Sequence, residues 1–390
     1  MPEHALLSAS SAHRWLMCPP SAKLEQQFPD TGSTYAAEGT LAHSIAELKV
    51  RKHFVEPIGP RKYANALKKL QADPLYQEEM LEYTDRYLDE IKRIVCTYPA
   101  KPYVAVEQRL DFSAYVPDGF GTGDCIIIGG DELNVVDLKY GKGVTVDAQD
   151  NPQLRLYAVG ALLRYGMLYD IQTVRTTIVQ PRLDHVSQEE LPKDLLMRWA
   201  EEVVKPTAAM AAEGGGAYMS GGAYMSGDWC RFCRARTQCK ARAKSYLALE
   251  KYHKQDPGLL TDDEIGDILY RAQDLKSWVS DLEEYALAQT LQGAEVRGWK
   301  AVEGRSLRQF TDQDAAFRAL IDAGTPEAML YERKPLTLAA TEKAVGKAAF
   351  AEICGPFVDK PPGKPTLVPD TDKRPAITNK TTAAEIFANN

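Results

Sequence analysis

The chain has 390 residues, 44% hydrophobic and 26% charged, which is ordinary globular usage and excludes wholesale disorder and collagen-like repeats. With 47 Lys and Arg against 54 Asp and Glu the net charge is −7. That argues against a general basic coat for nucleic acid but not against a local basic groove, because counterion release depends on charges at the contact. The length suggests about two to three domains. No apolar run reaches the roughly 18 residues of a membrane helix, so no membrane partner is expected. The opening MPEHALLSAS has no basic stretch before an apolar run, so a cytoplasmic location is expected. Seven cysteines, three of them within ten residues, suggest metal rather than disulfides in a reducing compartment.

Residues 1–30 are loop-rich, with Trp15, Cys18, Pro19 and Pro20. Leu41, Ile45, Ala46, Leu48 and Val50 predict a helix over about 40–52, and 63–95 reads as a charged, solvated helical insertion. From Tyr103 the texture turns β-rich. The runs 103–110, 124–129 and 133–138, punctuated by GFGTGD and GGDE, predict a three-stranded meander. A helix over 152–165 and a strand over 173–181 follow. This order predicts an α/β fold with a mixed central sheet and flanking helices. A helix over about 189–212 precedes a tandem duplication of GAYMSG, read as a loop insertion. Beyond 245 the pattern is helical. Thr261 with Glu264 forms a capping box, an apolar stripe runs from Ile265 to Ala286, and shorter helices are expected near 312–323 and 338–353. The tail from Lys360 reads as extended.

The segment GTGDCIIIGGDELNVVDLKYGKG carries the chemistry. Asp137 and Lys139, two apart on a strand, project together, with Asp124 beside them on the neighbouring strand. Two carboxylates and an ammonium on one sheet face suit a hard divalent cation. Such an arrangement can stabilise charge on a phosphate while the lysine orients a water. The bland alternative is an exposed strand edge with ordinary charges. Val135 and Val136 before the pair and a glycine turn after it anchor the carboxylates at the end of a buried strand.

Four elements in order resemble the PD-(D/E)XK nuclease superfamily, specifically its RecB-like branch. They are G-x-x-x-H at Gly39 to His43, GTGD ending in Asp124, D-x-K at Asp137 and Lys139, and Q-x-x-x-Y at Gln153 and Tyr157. The resemblance implies a restriction-endonuclease-like core and a Mg²⁺- or Mn²⁺-dependent deoxyribonuclease, with an exonuclease as the first expectation. It casts His43, Asp124, Asp137 and the backbone carbonyl of Leu138 as metal ligands and Lys139 as the catalytic lysine. Gln153 and Tyr157 become substrate-contacting or bracing residues, and Glu107 a secondary acidic candidate. It covers roughly residues 8–245, and the opening and late segments are similar to an uncharacterised phage and prophage family of RecB-like exonucleases. In that setting the partners would be DNA, single-stranded or with free ends, and a phage single-strand-binding or annealing protein. No G-x-x-x-x-G-K-[ST] loop occurs, so ATP is not used by that route.

WCRFCRARTQC supplies Cys230, Cys233 and Cys239, and Cys18 is the best fourth ligand. Spacing alone fits structural Zn²⁺ or a [4Fe–4S] cluster equally. The AddB-type nucleases, which resemble this chain in having one cysteine before the core and a C-x2-C-x5-C after it, favour the cluster, as a structural pin. Cys125 is expected to be a core thiol, and Cys96 and Cys354 helical packing residues. Arg231, Arg234, Arg236, Lys240, Arg242 and Lys244 are a candidate DNA-facing patch or a solvated charged helix. The domains expected are a nuclease domain over 1–245, a helical region over 246–358 and a tail over 359–390. The rival readings are a non-catalytic DNA-binding or scaffolding protein, and a zinc-stapled protein acting on RNA.

Overall fold

The computed structural model describes residues 5–29, 34–214, 224–247, 260–272, 275–302, 312–324, 326–331 and 337–358. The tail expected over 359–390 and most of the GAYMSG duplication lie outside them. The chain divides into two compact units, Met1–Ala286 and Leu287–Asn390. No helix among the described residues is long and apolar enough to cross a membrane.

The first unit opens with α1 (Ala12–Met17), α2 (Ser21–Glu25), α3 (Thr34–Val50), α4 (Pro60–Gln71) and α5 (Glu79–Val95). Its sheet is β1 (Tyr103–Asp111), β2 (Phe120–Gly129), β3 (Glu132–Leu138), β4 (Thr173–Gln180) and β5 (His185–Pro192), in that spatial order. The first three strands form the antiparallel meander. α6 (Pro152–Tyr165) then carries the chain across to β4, which runs parallel to β3, and β5 pairs antiparallel with β4. The mixed α/β architecture is therefore as expected.

The sheet is covered on both faces. On one, α6 packs with α1 and with the α7 (Lys193–Trp199) and α8 (Lys205–Glu213) segment. Trp15, Leu154, Leu156 and Leu196 meet Ile126, Val135 and Ile178 there. On the other, Ala46 and Val50 of α3 and Tyr87, Ile91 and Ile94 of α5 meet Val106, Cys125, Ile127 and Val136. β3 thus feeds Leu133 and Val135 to one core and Val136 and Leu138 to the other, the reason its sequence is almost continuously apolar. Each such buried side chain contributes about 1.5–3 kcal/mol.

Three expectations for the first unit are corrected. The stretch 63–95 is not one solvated insertion: a turn containing Pro74 separates α4 from α5, and of the buried residues of α5, Tyr87, Ile91 and Ile94 face the sheet while Met80 packs with α3. The segment 189–212 is not helical from its start, because His185–Pro192 is the edge strand β5. Glu189 reads as a helix former, yet it is buried in that strand and paired with Arg155. Cys96 is not a packing residue; it caps the end of α5 and is exposed. Cys125 is buried as expected.

α9 (Lys240–Leu247) and α10 (Asp262–Ala272) follow, with the capping box formed: Glu264 Oε2 accepts from Thr261 N–H at 2.9 Å. α11 (Leu275–Leu291) completes the first unit and enters the second. The second unit contains α12 (Gln313–Asp322), capped by Asp312, then α13 (Leu338–Val345) and α14 (Lys347–Cys354). The last two were expected as one helix and are separated at Gly346.

Candidate active site

The ladder between β1 and β2 has one irregular step. Val106 pairs with Cys125 and Gln108 with Gly123, while Glu107 and Asp124 stand between these pairs without a ladder partner. Glu107 has a left-handed backbone, with φ of 50°. Side-chain alternation reverses there, since Ala105 and Leu110 enter the same core despite their odd spacing. The step turns both carboxylates toward α3, which presents His43.

His43 Nδ1 lies 3.3 Å from Asp124 Oδ1. Asp124 Oδ2 accepts from the Leu138 N–H at 2.7 Å. One ligand atom each from His43, Glu107 and Asp124 lie within 4.8 Å of one another, and no other three His, Cys, Asp or Glu side chains do so among the described residues. Asp137, at the end of β3, is outside this group. Its Oδ2 is 3.0 Å from Lys139 Nζ, but the approach is not aligned as a hydrogen bond, and that buried oxygen has no hydrogen-bond donor.

Lys139 Nζ donates to Gln153 Oε1 at 2.9 Å, and Gln153 Nε2 donates to the Tyr157 hydroxyl at 3.1 Å. Asn151 Oδ1 caps α6 by accepting from the Gln153 and Leu154 N–H groups, which fixes Gln153 at the helix start. Tyr157, one turn on, lies against β2 where only glycine fits: a Cβ at Gly121 would come within 2.5 Å of its ring. The expected residues therefore fall into two linked sets. His43, Asp124 and Glu107 form one, and Asp137, Lys139, Gln153 and Tyr157 the other. Leu138, expected to offer its carbonyl, joins the sets through its N–H. Glu107, ranked below the others in sequence, is a full member of the first; an acidic residue directly after the apolar Val104-Ala105-Val106 was the signal.

The electrostatics are those of a site short of positive charge. Burial alone would lower the His43 pKa, but the charge and hydrogen bond of Asp124, with Asp137 behind it, raise it to about 9. Burial works against ionised Asp124, yet His43, the Leu138 N–H and Lys139 hold its carboxyl below the usual range. Burial and the neighbouring Asp124 raise Asp137 despite Lys139. Glu107 is pushed up to about 7 by burial and by the charges of Asp124 and Glu47. Three crowded carboxylates, one with a buried oxygen that accepts no hydrogen bond, suit a hard cation with oxygen and imidazole ligands.

A family described as "Protein of unknown function (DUF2800)" matches residues 4–375, nearly the whole chain. The chain belongs to the DUF2800 family. A solved structure described as "Crystal structure of SSO0001" is similar at 15% identity, covering 51% of this chain and 95% of its own, with a TM-score of 0.23.

In this DUF2800 chain the cysteine segments come together from opposite ends of the first unit. Arg14 forms an ion pair with Glu25 at 2.6 Å and donates to the Phe232 carbonyl. Glu25, only 3% exposed, also accepts from the Arg234 N–H at 2.7 Å. Cys18 Sγ accepts from the Met225 N–H, and Cys230 and Cys239 are near enough for their charges to act on it. Burial pushes the Cys18 thiol up, and burial with Glu25 nearby raises Cys233 to about 12. No three of these sulfurs lie within 4.8 Å of one another. A tetrahedral zinc would need about 3.8 Å between sulfurs, given its bond length.

The six-residue basic patch is broken up. Arg242, 1% exposed, and Arg236 both pair with Asp281, and Arg234 donates to the Phe28 carbonyl. Arg231, Lys240 and Lys244 remain exposed.

The left-handed Glu107 is a cost retained for position. A non-glycine residue in that region is destabilised by about 1–2 kcal/mol, and the neighbouring carboxylates add repulsion. Glu107→Gly is expected to stabilise the protein without divalent cation by about 1 kcal/mol after the entropy of glycine is subtracted. The same variant should bind Mn²⁺ more weakly. Thermal unfolding and Mn²⁺ titration of one preparation check both signs.

Proposed function

We propose that this chain is a Mg²⁺- or Mn²⁺-dependent nuclease that hydrolyses phosphodiester bonds in DNA, an exonuclease requiring a free end. The observation that carries this reading is the convergence of His43, Glu107 and Asp124 at ligand spacing beside Lys139. The resemblance of GTGD, D-x-K and Q-x-x-x-Y to the RecB-like pattern supports it. His43, Glu107 and Asp124, with Asp137 adjoining, would hold the cation. When bound, such a cation stabilises the negative charge that develops on the phosphate.

The protein groups divide the remaining work. Asp124, fixed by the Leu138 N–H, sets the imidazole orientation of His43. The Lys139 ammonium is aimed by Gln153 Oε1 and the Asp137 carboxylate, so that it orients the attacking water and pairs with a phosphate oxygen. Water adds to phosphorus, the P–O bond to the leaving sugar oxygen breaks, and that oxygen takes up a proton. Tyr157 and Gln153 keep the lysine from swinging away.

Cys18, Cys230, Cys233 and Cys239 would hold a [4Fe–4S] cluster pinning the ends of the first unit; their shared neighbourhood supports this, and their spread is wide for a single zinc. A reducing cytoplasm, that of a host cell for a phage protein, suits such a site. The setting implied by the resemblance is phage replication or recombination.

The test is cleavage by anaerobically purified protein of end-labelled linear and circular DNA with Mg²⁺ or Mn²⁺, beside Lys139→Ala. Loss of linear substrate only, reduced at least about 100-fold in the variant, is the expected result. Cleavage of circles would make the protein an endonuclease. DNA binding with no cleavage under any metal would leave a binding protein.

A further inference from the structure

Beyond the Glu107–Asp124 step, β1 and β2 continue as a two-stranded ribbon, Gln108–Asp111 against Phe120–Gly123. One face of this ribbon is closed. Leu110 is buried, a Cβ at Gly123 would meet Leu110, and one at Gly121 would meet Tyr157. By alternation Arg109, Phe120 and Thr122 lie on the opposite face. There the Arg109 guanidinium carbon sits 3.6 Å from the centroid of the Phe120 ring. Arg109 is exposed, and among the described residues no carboxylate is within ion-pair distance of it. Arg164 of α6 donates to the Arg109 carbonyl at 2.9 Å. The two arginines, with Asp111, Ser113 and Gly160, line a groove of about 350 Å³ along the β1 edge.

These features lack a structural explanation. The ring is not needed to fill a core, and the guanidinium satisfies no buried acid. A flat cation over an aromatic ring, open to solvent, is a surface on which a nucleobase stacks. The location matters as much as the chemistry. Arg109 is two residues from Glu107, about 7 Å along β1, and Phe120 is four residues from Asp124, about 13 Å along β2.

We propose that the Arg109–Phe120 stack seats an unpaired DNA base about one or two nucleotides from the phosphate that is cut. This rests on the nuclease reading of the adjoining site and deepens it, since it assigns the substrate as a single-stranded end. In a duplex both faces of each base are covered by neighbours, so the stack gains nothing from intact double helix. Arg164, across the groove, faces the backbone of the same strand.

The test reads binding without turnover. Full-length Lys139→Ala protein is titrated into a fluorescein-labelled single strand and the matching duplex by anisotropy, alone and with Arg109→Ala, Phe120→Ala or Arg109→Lys. Thermal unfolding confirms that each variant is folded. Arg109→Ala and Phe120→Ala are expected to weaken single-strand binding roughly tenfold with little change for duplex. Arg109→Lys, which keeps charge but loses the flat face, should weaken it several-fold. An abasic position scanned along the strand should cost the parent protein a similar factor at one position, and cost Arg109→Ala nothing further there. Equal losses on duplex, an Arg109→Lys protein that binds like its parent, or an abasic scan without a sensitive position would each overturn the stack. A protein that cleaves DNA but is indifferent to these changes loses this inference alone. One that binds single strands through the stack yet never cleaves loses the nuclease reading alone.

Discussion

Asp124→Asn is expected to abolish DNA cleavage and to drop the His43 pKa from about 9 to below its ordinary value. The amide keeps an oxygen for the Leu138 N–H, so β2 and β3 stay joined at that point. What goes is the negative charge that opposes the desolvation of His43. Burial, the largest influence on the ring, is then opposed only by the weaker charge of Asp137, itself countered by Lys139, and favours the neutral ring. The two readouts are independent, because the pKa is followed by NMR in protein without divalent cation. The loss of cleavage should be at least about 100-fold, since a charge that holds the cation and the imidazole together is worth several kcal/mol. Stability should change shape with pH as well. A pKa raised in the folded state gives stabilisation that is full below about 6.5 and lost as pH rises through about 9. In Asp124→Asn that fall between pH 6.5 and 9 should flatten. A His43 pKa still near 9 in the variant would show that Asp124 is not its main partner.

Glu25→Ala should cost about 3–5 kcal/mol of stability, the scale for removing one partner of a buried charge pair. Glu25 holds the Arg14 guanidinium on one side and the Arg234 N–H on the other. Its loss leaves the Arg14 guanidinium with the Phe232 carbonyl but no carboxylate, and takes the acceptor of the Arg234 N–H, in a region that is largely closed to water. The effect should be seen in chemical denaturation with the cysteines reduced and metal-free, which separates this ion pair from anything the thiols hold. Glu25→Gln should recover part of the loss, because an amide oxygen still accepts from the backbone. A loss below about 1 kcal/mol for the alanine variant would place Glu25 among ordinary surface pairs.

The order of elements was legible because the physics is local. Alternating and continuous apolar runs, cut by Gly and Asp, mark β1 to β3, and the apolar periodicity of 152–165 marks α6. β5 was hidden because five of its eight residues are charged or polar, and the partner that buries Glu189 is Arg155, distant in sequence. α5 looked solvated for a related reason: its charges are real, but Tyr87, Ile91 and Ile94 on the other side meet the sheet. The D-x-K pair and Asp124 were readable from strand alternation. The place of Glu107 was not, since it depends on a backbone reversal that no alternation rule predicts. Gly121 and Gly123 looked like a turn before the strand; they belong to β2 and give room to Tyr157 and Leu110 respectively.

The clasp between the two ends of the first unit sets a timetable for synthesis. Arg14 and its acceptor Phe232 are 218 residues apart. At about 5–20 residues per second, roughly 10–40 s separate their emergence from the ribosome. For that interval Trp15 and its neighbours have no lid on this side, and closure of so long a loop comes late in folding. Every side chain of the candidate active site, from His43 to Tyr157, has left the ribosome before Phe232 does. The nascent chain therefore holds every group of the candidate site before its amino-terminal segment can be sealed.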